Sequence, residues 1–380
     1  MYTISSAIGW ILMAAGSCGA IFGLFSVRAA GVLFNSPSAA TSQCPPVTLL
    51  KPLCAAEHGL EENLGKFCSQ EYPNPVQIVF GIQLADDPAI QVVERLRTRY
   101  PDIDIELVVA TSSGHFNPKV SNLIGMLPYA KHDVLILSDS DIAIPDNYLR
   151  KITSALDQPM VGAVTCFYRG LAAGNFWSKL AAMGIDYQFL PNAMLAVASG
   201  LAKPCFGSTI ALRKSVLDEI GGFEIFKDRL ADDYEIGRAV RLLGYRLAYP
   251  PVVLGHTCPE VSAAELFDHE LRWARTIQSI NGLGHAGSII THVMPLAMLG
   301  AILLGFSYPA VIALATALAA RLFQKWQVDR FLQREKVSFW LLPARDMLSF
   351  AVFIASLFAK QVDWRGLPYH VNADGALIRN

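Results

Sequence analysis

The stretch Asp133-Val134-Leu135-Ile136-Leu137-Ser138-Asp139-Ser140-Asp141 reads as a buried strand that ends in two carboxylates. An apolar run of this kind suits a strand covered on both faces, as in a parallel sheet. In open α/β sheets the ligand crevice lies outside the carboxyl ends of such strands. Asp139 and Asp141 at that exit can share a divalent cation, Mg2+ or Mn2+, because hard ions favour oxygen ligands. A second acidic pair, Asp232-Asp233, opens a helical pattern that runs to Leu243 and can supply a general base. With apolar segments at both ends of the chain, this points to a membrane-anchored transferase acting on a phosphorylated donor.

Working outward, Val47-Thr48-Leu49-Leu50 reads as a strand before Lys51-Pro52, and 76–82 as another before Asp86-Asp87-Pro88. Further strands are expected at 105–109, 161–168 and 208–212, with helical patterns at 61–68, 89–100 and 119–127. Strands alternating with helices predict an α/β fold with a mostly parallel sheet. A long apolar helical stretch covers 177–198. An amphipathic helix at 265–280 carries Arg272, Trp273 and Arg275.

The 380 residues suffice for one α/β domain plus membrane segments. Apolar residues make up 53% and mean hydropathy is +0.36, an excess concentrated at the termini rather than spread through the chain. Residues 4–34 are broken only by Arg28, and 8–27 is long enough to span a bilayer. No basic residue precedes this segment, which favours an anchor over a signal peptide. Arg28 and Lys51 then place the following domain in the cytosol by the positive-inside rule. Apolar runs at 289–306 and 309–323 predict a membrane hairpin, followed by a basic, cytosolic loop at 321–336. The segment 337–358 contains Arg345-Asp346, costly at bilayer depth without a cavity or partner, so an interfacial segment competes with a full span. The expected organisation is an anchor at 1–34, a linker at 35–46, a catalytic domain at 47–286 that includes the 265–280 helix, and membrane segments with a tail at 287–380. A net charge of −1 gives no reason to expect a nucleic-acid partner. Seven cysteines without framework or zinc spacing read as reduced thiols. The eight histidines show no metal-ligand spacing, and His256, His269 and His285 read as structural or peripheral.

Each motif alone has a plainer reading. Asp139-Ser140-Asp141 also fits a turn, and Asp86-Asp87-Pro88 an Asp-Pro turn with a helix cap, although a carboxylate there can also accept from a nucleobase imide or ribose hydroxyl. Lys51 and Lys119 follow strands and can meet a diphosphate; a solvated lysine is the default for both. Asp232-Asp233 can simply oppose a helix dipole, and Arg272-Trp273 can lie at a membrane interface.

The order of these elements is more specific than any one of them. It resembles that of inverting glycosyltransferases of the GT-A type, and more closely the ceramide glucosyltransferase family with its bacterial hopanoid-biosynthesis branch. The resemblance runs through Leu49-Leu50-Lys51-Pro52-Leu53, Asp86-Asp87-Pro88, Asn117-Pro118-Lys119, Asp139-Ser140-Asp141, Gly207-Ser208, Gly221-Gly222-Phe223, Asp232-Asp233-Tyr234 and Arg272-Trp273, nearly the whole chain. It implies a Rossmann-like GT-A domain with N-terminal and C-terminal transmembrane helices. It further implies a nucleotide contact at Asp87, with Lys51 and Lys119 on the donor. Asp139 is matched to a ribose or metal contact, Asp141 to the metal ligand and Asp233 to the catalytic base. Arg272 and Trp273 match the end of a Gln/Arg-x-x-Arg-Trp element, whose first position here is His269. Cys205-Phe206-Gly207-Ser208 matches the loop beside the acceptor. The expected reaction moves a sugar from a UDP-sugar, UDP-N-acetylglucosamine in the hopanoid branch, to a hydroxyl of a hopanoid. Ceramide glucosylation from UDP-glucose is the alternative, and an inactive nucleotide-binding membrane scaffold is the alternative of another class. The expected location is the bacterial inner membrane, with the catalytic domain facing the cytosol.

Overall fold

The structure is a computed structural model that describes residues 4–34, 44–109, 117–334 and 339–359, and the backbone of 361–364, 367–371 and 377–378. Most of the linker expected at 35–46 lies outside the described residues. After α1 (Ile4–Phe34) come β1 (Val47–Pro52), α2 (Leu60–Cys68), β2 (Val76–Ile82), α3 (Ala89–Arg99), β3 (Asp104–Val109), α4 (Pro118–Met126), β4 (Val134–Leu137), β5 (Ile142–Ala143) and α5 (Tyr148–Leu156). Next are β6 (Val161–Thr165), β7 (Phe167–Ala172), α6 (Phe176–Gly184), α7 (Leu190–Ala198), β8 (Ile210–Arg213), α8 (Lys214–Glu219), α9 (Asp232–Leu242), β9 (Arg246–Ala248) and β10 (Val253–Cys258). The chain then turns helical, with α10 (Ala263–Ile280), α11 (Gly282–Gly287), α12 (Val293–Leu303), α13 (Tyr308–Phe331) and α14 (Leu342–Phe358).

These elements form two units. One comprises 33–173, 203–259 and 369–380; the other comprises 1–32, 174–202 and 260–368. The first is a seven-stranded sheet in the order β3-β2-β1-β4-β8-β6-β9. Its first four strands are parallel, and β8 runs antiparallel to both of its neighbours. Successive side chains enter opposite cores, as the period of two requires. Leu49, Ile78, Phe80 and Ile136 pack with α2, α3 and α5, while Leu50, Val79, Leu135 and Leu137 pack with α4, α8 and α9. Two buried faces explain why β4 is an uninterrupted apolar run. A smaller sheet, β5-β10-β7, begins immediately after Asp141 and pairs Ile142 with His256.

The second unit is helical. Gly9, Gly16 and Gly19 on α1 meet Leu304, Val293 and Ile290 so closely that any Cβ would collide or crowd, a small-residue contact of the kind membrane helices use. Between α6 and α7 one turn, Ile185–Phe189, widens to a π-helix. Pro191 has no N–H to return to the Tyr187 carbonyl. Arg321 of α13 takes that role, donating from Nη1 to the Tyr187 carbonyl at 3.2 Å. The same guanidinium grips Asp346 through Nε at 2.8 Å and Nη2 at 2.6 Å, with both residues buried.

The structure bears on three expectations. The contact boundary assigns Gly174–Ala202 and the 265–280 helix to the helical unit, not to a single 47–286 domain. The basic residues Arg321, Lys325 and Arg330 stand on α13 rather than in a loop, and Lys325 is paired with Asp329 at 2.5 Å. Arg321 and Lys325 are therefore internal partners, and the positive-inside argument loses them. Arg345 and Asp346 are both buried, and each has a charged partner, Glu270 and Arg321 respectively. Two helices, Ile4–Phe34 and Phe339–Phe358, are long and apolar enough to cross a membrane, and Gly282–Thr291 with Val293–Leu303, bent by 67°, make a third if counted as one span.

Removing one partner of a buried ion pair typically costs about 3–5 kcal/mol. Asp346→Ala should lower thermal stability in detergent by that order. The matched apolar double variant Arg321→Met/Asp346→Leu should recover part of it, with the Tyr187 carbonyl still uncapped. Native melting of Asp346→Ala would show that the pair does not hold the helices.

Candidate active site

The site of the α/β unit begins where β4 ends. Asp139 leaves the sheet with its N–H donating to the Gly207 carbonyl at 3.2 Å. Lys51, directly after β1's apolar run, is 0% exposed. Its amine donates to Ser138 Oγ at 3.2 Å and to the Asp139 carbonyl, and lies 3.9 Å from the Phe67 ring centre. Burial lowers its pKa to about 7 against the pull of Asp139 and Asp141. The sequence reading put this amine on the donor diphosphate. Here it is engaged behind the acidic loop, bracing its backbone.

The charge inside the site belongs to Lys119. Asn117 caps α4 by accepting from the Val120 N–H at 3.0 Å, and Pro118 presets the first turn. That fixes Lys119 Nζ 2.7 Å from Asp139 Oδ1 and 3.4 Å from Asp232 Oδ2. Burial opposes its charge, but Asp139, Asp232 and Asp233 outweigh burial and hold its pKa above the ordinary value. Asp139 is pushed up by burial, with Lys119 pulling the other way. Asp232 also accepts from Asn117 Nδ2 at 3.2 Å. Asp233, in the first turn of α9, accepts from the Gly207 N–H at 2.9 Å. Burial, then Asp232, raise its pKa to about 6 against Lys119. Gly207 thus bonds both carboxylate segments, and a Cβ there would stand 2.6 Å from Asp139 Oδ2 and 3.0 Å from Lys119 Nζ.

Asp141 sits at the junction of the two sheets. Its carbonyl accepts from the Thr257 N–H at 2.9 Å, and its Oδ2 lies 3.2 Å from Nε2 of His256. His256 is 7% exposed, with its ring 5.4 Å from that of Tyr168. Burial opposes charge on this imidazole, but the Asp141 carboxylate outweighs it and holds the pKa well above the usual range. His256 was read as structural or peripheral, and the structure brings it to the acidic motif. The missed signal is a polar ring inside the apolar run Val252-Val253-Leu254-Gly255-His256, where a partner is required. A carboxylate and, once its proton is released, an imidazole this close can ligate one divalent ion. Among the described residues no group of three or more acidic, histidine or cysteine side chains surrounds one point. Asp87 holds the neighbouring loop, accepting from the N–H groups of Ala55 (3.0 Å) and Ala89 (2.8 Å). Arg272 and Trp273 lie on α10 of the helical unit. One turn earlier His269 Nδ1 is 2.6 Å from Glu260 Oε1, and the His269 ring meets the Trp273 ring edge-on at 4.6 Å.

The profile of Glycosyl transferase family 21 matches residues 8–377. The chain belongs to this glycosyltransferase family. It is 25% identical over 357 residues to ceramide glucosyltransferase 3 of Caenorhabditis elegans, covering 89% of this chain and 75% of that one. It is 25% identical over 246 residues to the beta-monoglucosyldiacylglycerol synthase of Synechocystis, covering 62% of this chain and 48% of that one. A solved mannosyltransferase of Pyrobaculum calidifontis, in complex with GDP-Man and Mn2+, superposes with a TM-score of 0.60 at 22% identity, covering 93% of this chain and 99% of that one. The family 21 chain therefore has the GT-A fold.

Gly207→Ala tests the packing of this site. A misplacement of about 1 Å can cost about 10²-fold in rate, and the added methyl group must move Asp139 or Lys119. Turnover should fall by that order while the melting temperature changes little. Unchanged turnover would show that the Gly207 loop is slack.

Proposed function

We propose that the protein transfers a sugar, with inversion, from a UDP-sugar to a hydroxyl of a membrane lipid. The carrying observation is Asp233, a carboxylate held by the Gly207 N–H and raised to a pKa of about 6, beside Lys119 and the acidic motif. A base poised near neutrality can take the hydroxyl proton as the oxygen attacks the anomeric carbon. The α9 helix start and the Gly207 N–H fix its direction, and Lys119 pulls the neighbouring Asp139 toward its charged form against burial. Asp141 and His256 would hold a divalent cation, which when bound neutralises charge on the departing UDP. Asp139, Asp87 and Lys119 line the nucleotide side in this reading, and Arg272 and Trp273 of α10 clamp and shield the diphosphate. Lys51 acts at one remove, through the Asp139 backbone.

The apolar helices Ile4–Phe34 and Phe339–Phe358 support membrane anchoring, with the catalytic unit on the cytosolic face, where UDP-sugars are made. The local sequence resemblance favours UDP-N-acetylglucosamine as donor and a hopanoid side-chain hydroxyl as acceptor. The second reading, glucosylation of ceramide, is favoured by the named relative that matches most of this chain. Lipid extraction and mass spectrometry from a host supplied with either acceptor distinguishes the two.

Asp233→Asn keeps shape and hydrogen bonding but accepts no proton. Its rate should fall by about 10²–10⁴-fold, with UDP-sugar binding retained. The raised pKa sets the sign of the pH effect: wild-type kcat/KM should fall as pH drops through about 6, where Asp233 takes up a proton. Loss of donor binding with chemistry intact would move Asp233 to the nucleotide site.

A further inference from the structure

The two buried arginines of the helical unit differ in how they are satisfied. Arg321 uses all three nitrogens, on Asp346, Gln324 and the Tyr187 carbonyl. Arg345, 4% exposed, uses one: Nη2 donates to Glu270 Oε1 at 2.5 Å. Its Nε and Nη1 are shielded from solvent and have no hydrogen-bond partner among the described residues. An unmade bond on a buried charged donor is expensive, more so than on a neutral one. The arrangement is also built around this side chain. A Cβ on Gly184 of α6 would collide with the guanidinium, so only glycine leaves room for it.

Charge narrows the ligand. Along the seam where α10 packs on α14, Arg345 meets Glu270, and Arg275 Nη1 donates to the Ser356 carbonyl at 3.3 Å and to Gln278. Arg275 Nε likewise has no partner among the described residues. The seam therefore suits an oxygen-rich group. Arg345 lies in the first turn of α14 and is the seventh of the twenty residues of the candidate span Phe339–Phe358. Glu270, which holds the arginine, is two residues before Arg272 on α10.

We propose that Arg345 is an acceptor-binding residue, its Nε–H and Nη1–H donating to oxygen atoms of the headgroup of the lipid to be glycosylated. The proposal rests on the function proposed above and names the residue that seats its acceptor. Glu270 orients the fork through Nη2, and Gly184 provides the space.

The test measures binding of fluorescent ceramide, diacylglycerol and hydroxylated hopanoid probes from dodecyl maltoside micelles, with UDP affinity in parallel. A hydrogen bond to a charged group contributes enough that Arg345→Gln should weaken the preferred lipid by ~10–100-fold. Arg345→Lys, which keeps the charge but not the fork, should recover part of that loss. Gly184→Ala displaces the guanidinium without removing it and should weaken the same lipid, which covers the case of a misfolded Gln variant. Native lipid affinity in a folded Arg345→Gln or Gly184→Ala protein would overturn the proposal. So would a loss of UDP affinity as large as the loss of lipid affinity, which would put the guanidinium on the diphosphate. Arg345-dependent lipid binding by a wild-type protein that turns over no UDP-sugar would leave this site standing and refute the proposed function instead.

Discussion

Burying carboxylates together is the constraint on which this molecule depends. Asp139, Asp232 and Asp233 converge at the carboxyl ends of a sheet, where burial and the neighbouring carboxylates raise the cost of ionising Asp139 and Asp233. Lys119 makes the cluster tolerable, at 2.7 Å from Asp139 and 3.4 Å from Asp232. Its position follows from an Asn-Pro helix start, so a local capping motif sets the electrostatics of the whole site. Burial, and then the Asp232 carboxylate, raise the pKa of Asp233 to about 6 against the pull of Lys119. The burial that makes the cluster costly also creates its base.

A similar economy governs the helical unit. Here α10, α13 and α14 are tied by buried ion pairs as well as by apolar contacts. The widened turn before Pro191 frees a carbonyl, and Arg321 satisfies it while holding Asp346. Buried pairs of this kind add little net stability but penalise every alternative packing. They suit helices that must keep a fixed arrangement in an apolar setting.

Much of the fold was legible in the sequence, for stated reasons. The apolar runs before Lys51, Asp86 and Asp139 mark strands buried on both faces, and the acidic residues after them mark the crevice. Asp139, Lys119, Asp232 and Asp233 meet as their strand-end and helix-start positions require. Two things were hidden. Lys51 shares its strand-end position with ligand-binding residues, and only three-dimensional packing shows its amine turned behind the loop onto Ser138 and Asp139. His256 reaches Asp141 through the antiparallel pairing of β5 with β10, across more than a hundred residues, and no spacing rule reports such a contact. The charges of α13 misled for the opposite reason. Arg321 and Lys325 look like a basic loop in one dimension and are interior partners in three.

The central claim is that the acidic motif is completed by a metal seat shared between Asp141 and His256. Pulsed electron paramagnetic resonance of Mn2+ bound with UDP reads that seat directly, because a coordinated imidazole nitrogen modulates the manganese echo. The account predicts nitrogen modulation in the wild-type protein that disappears in His256→Gln, and loss of bound Mn2+ in Asp141→Ala. Tightly bound Mn2+ without nitrogen modulation, or modulation that survives in His256→Gln, would contradict it.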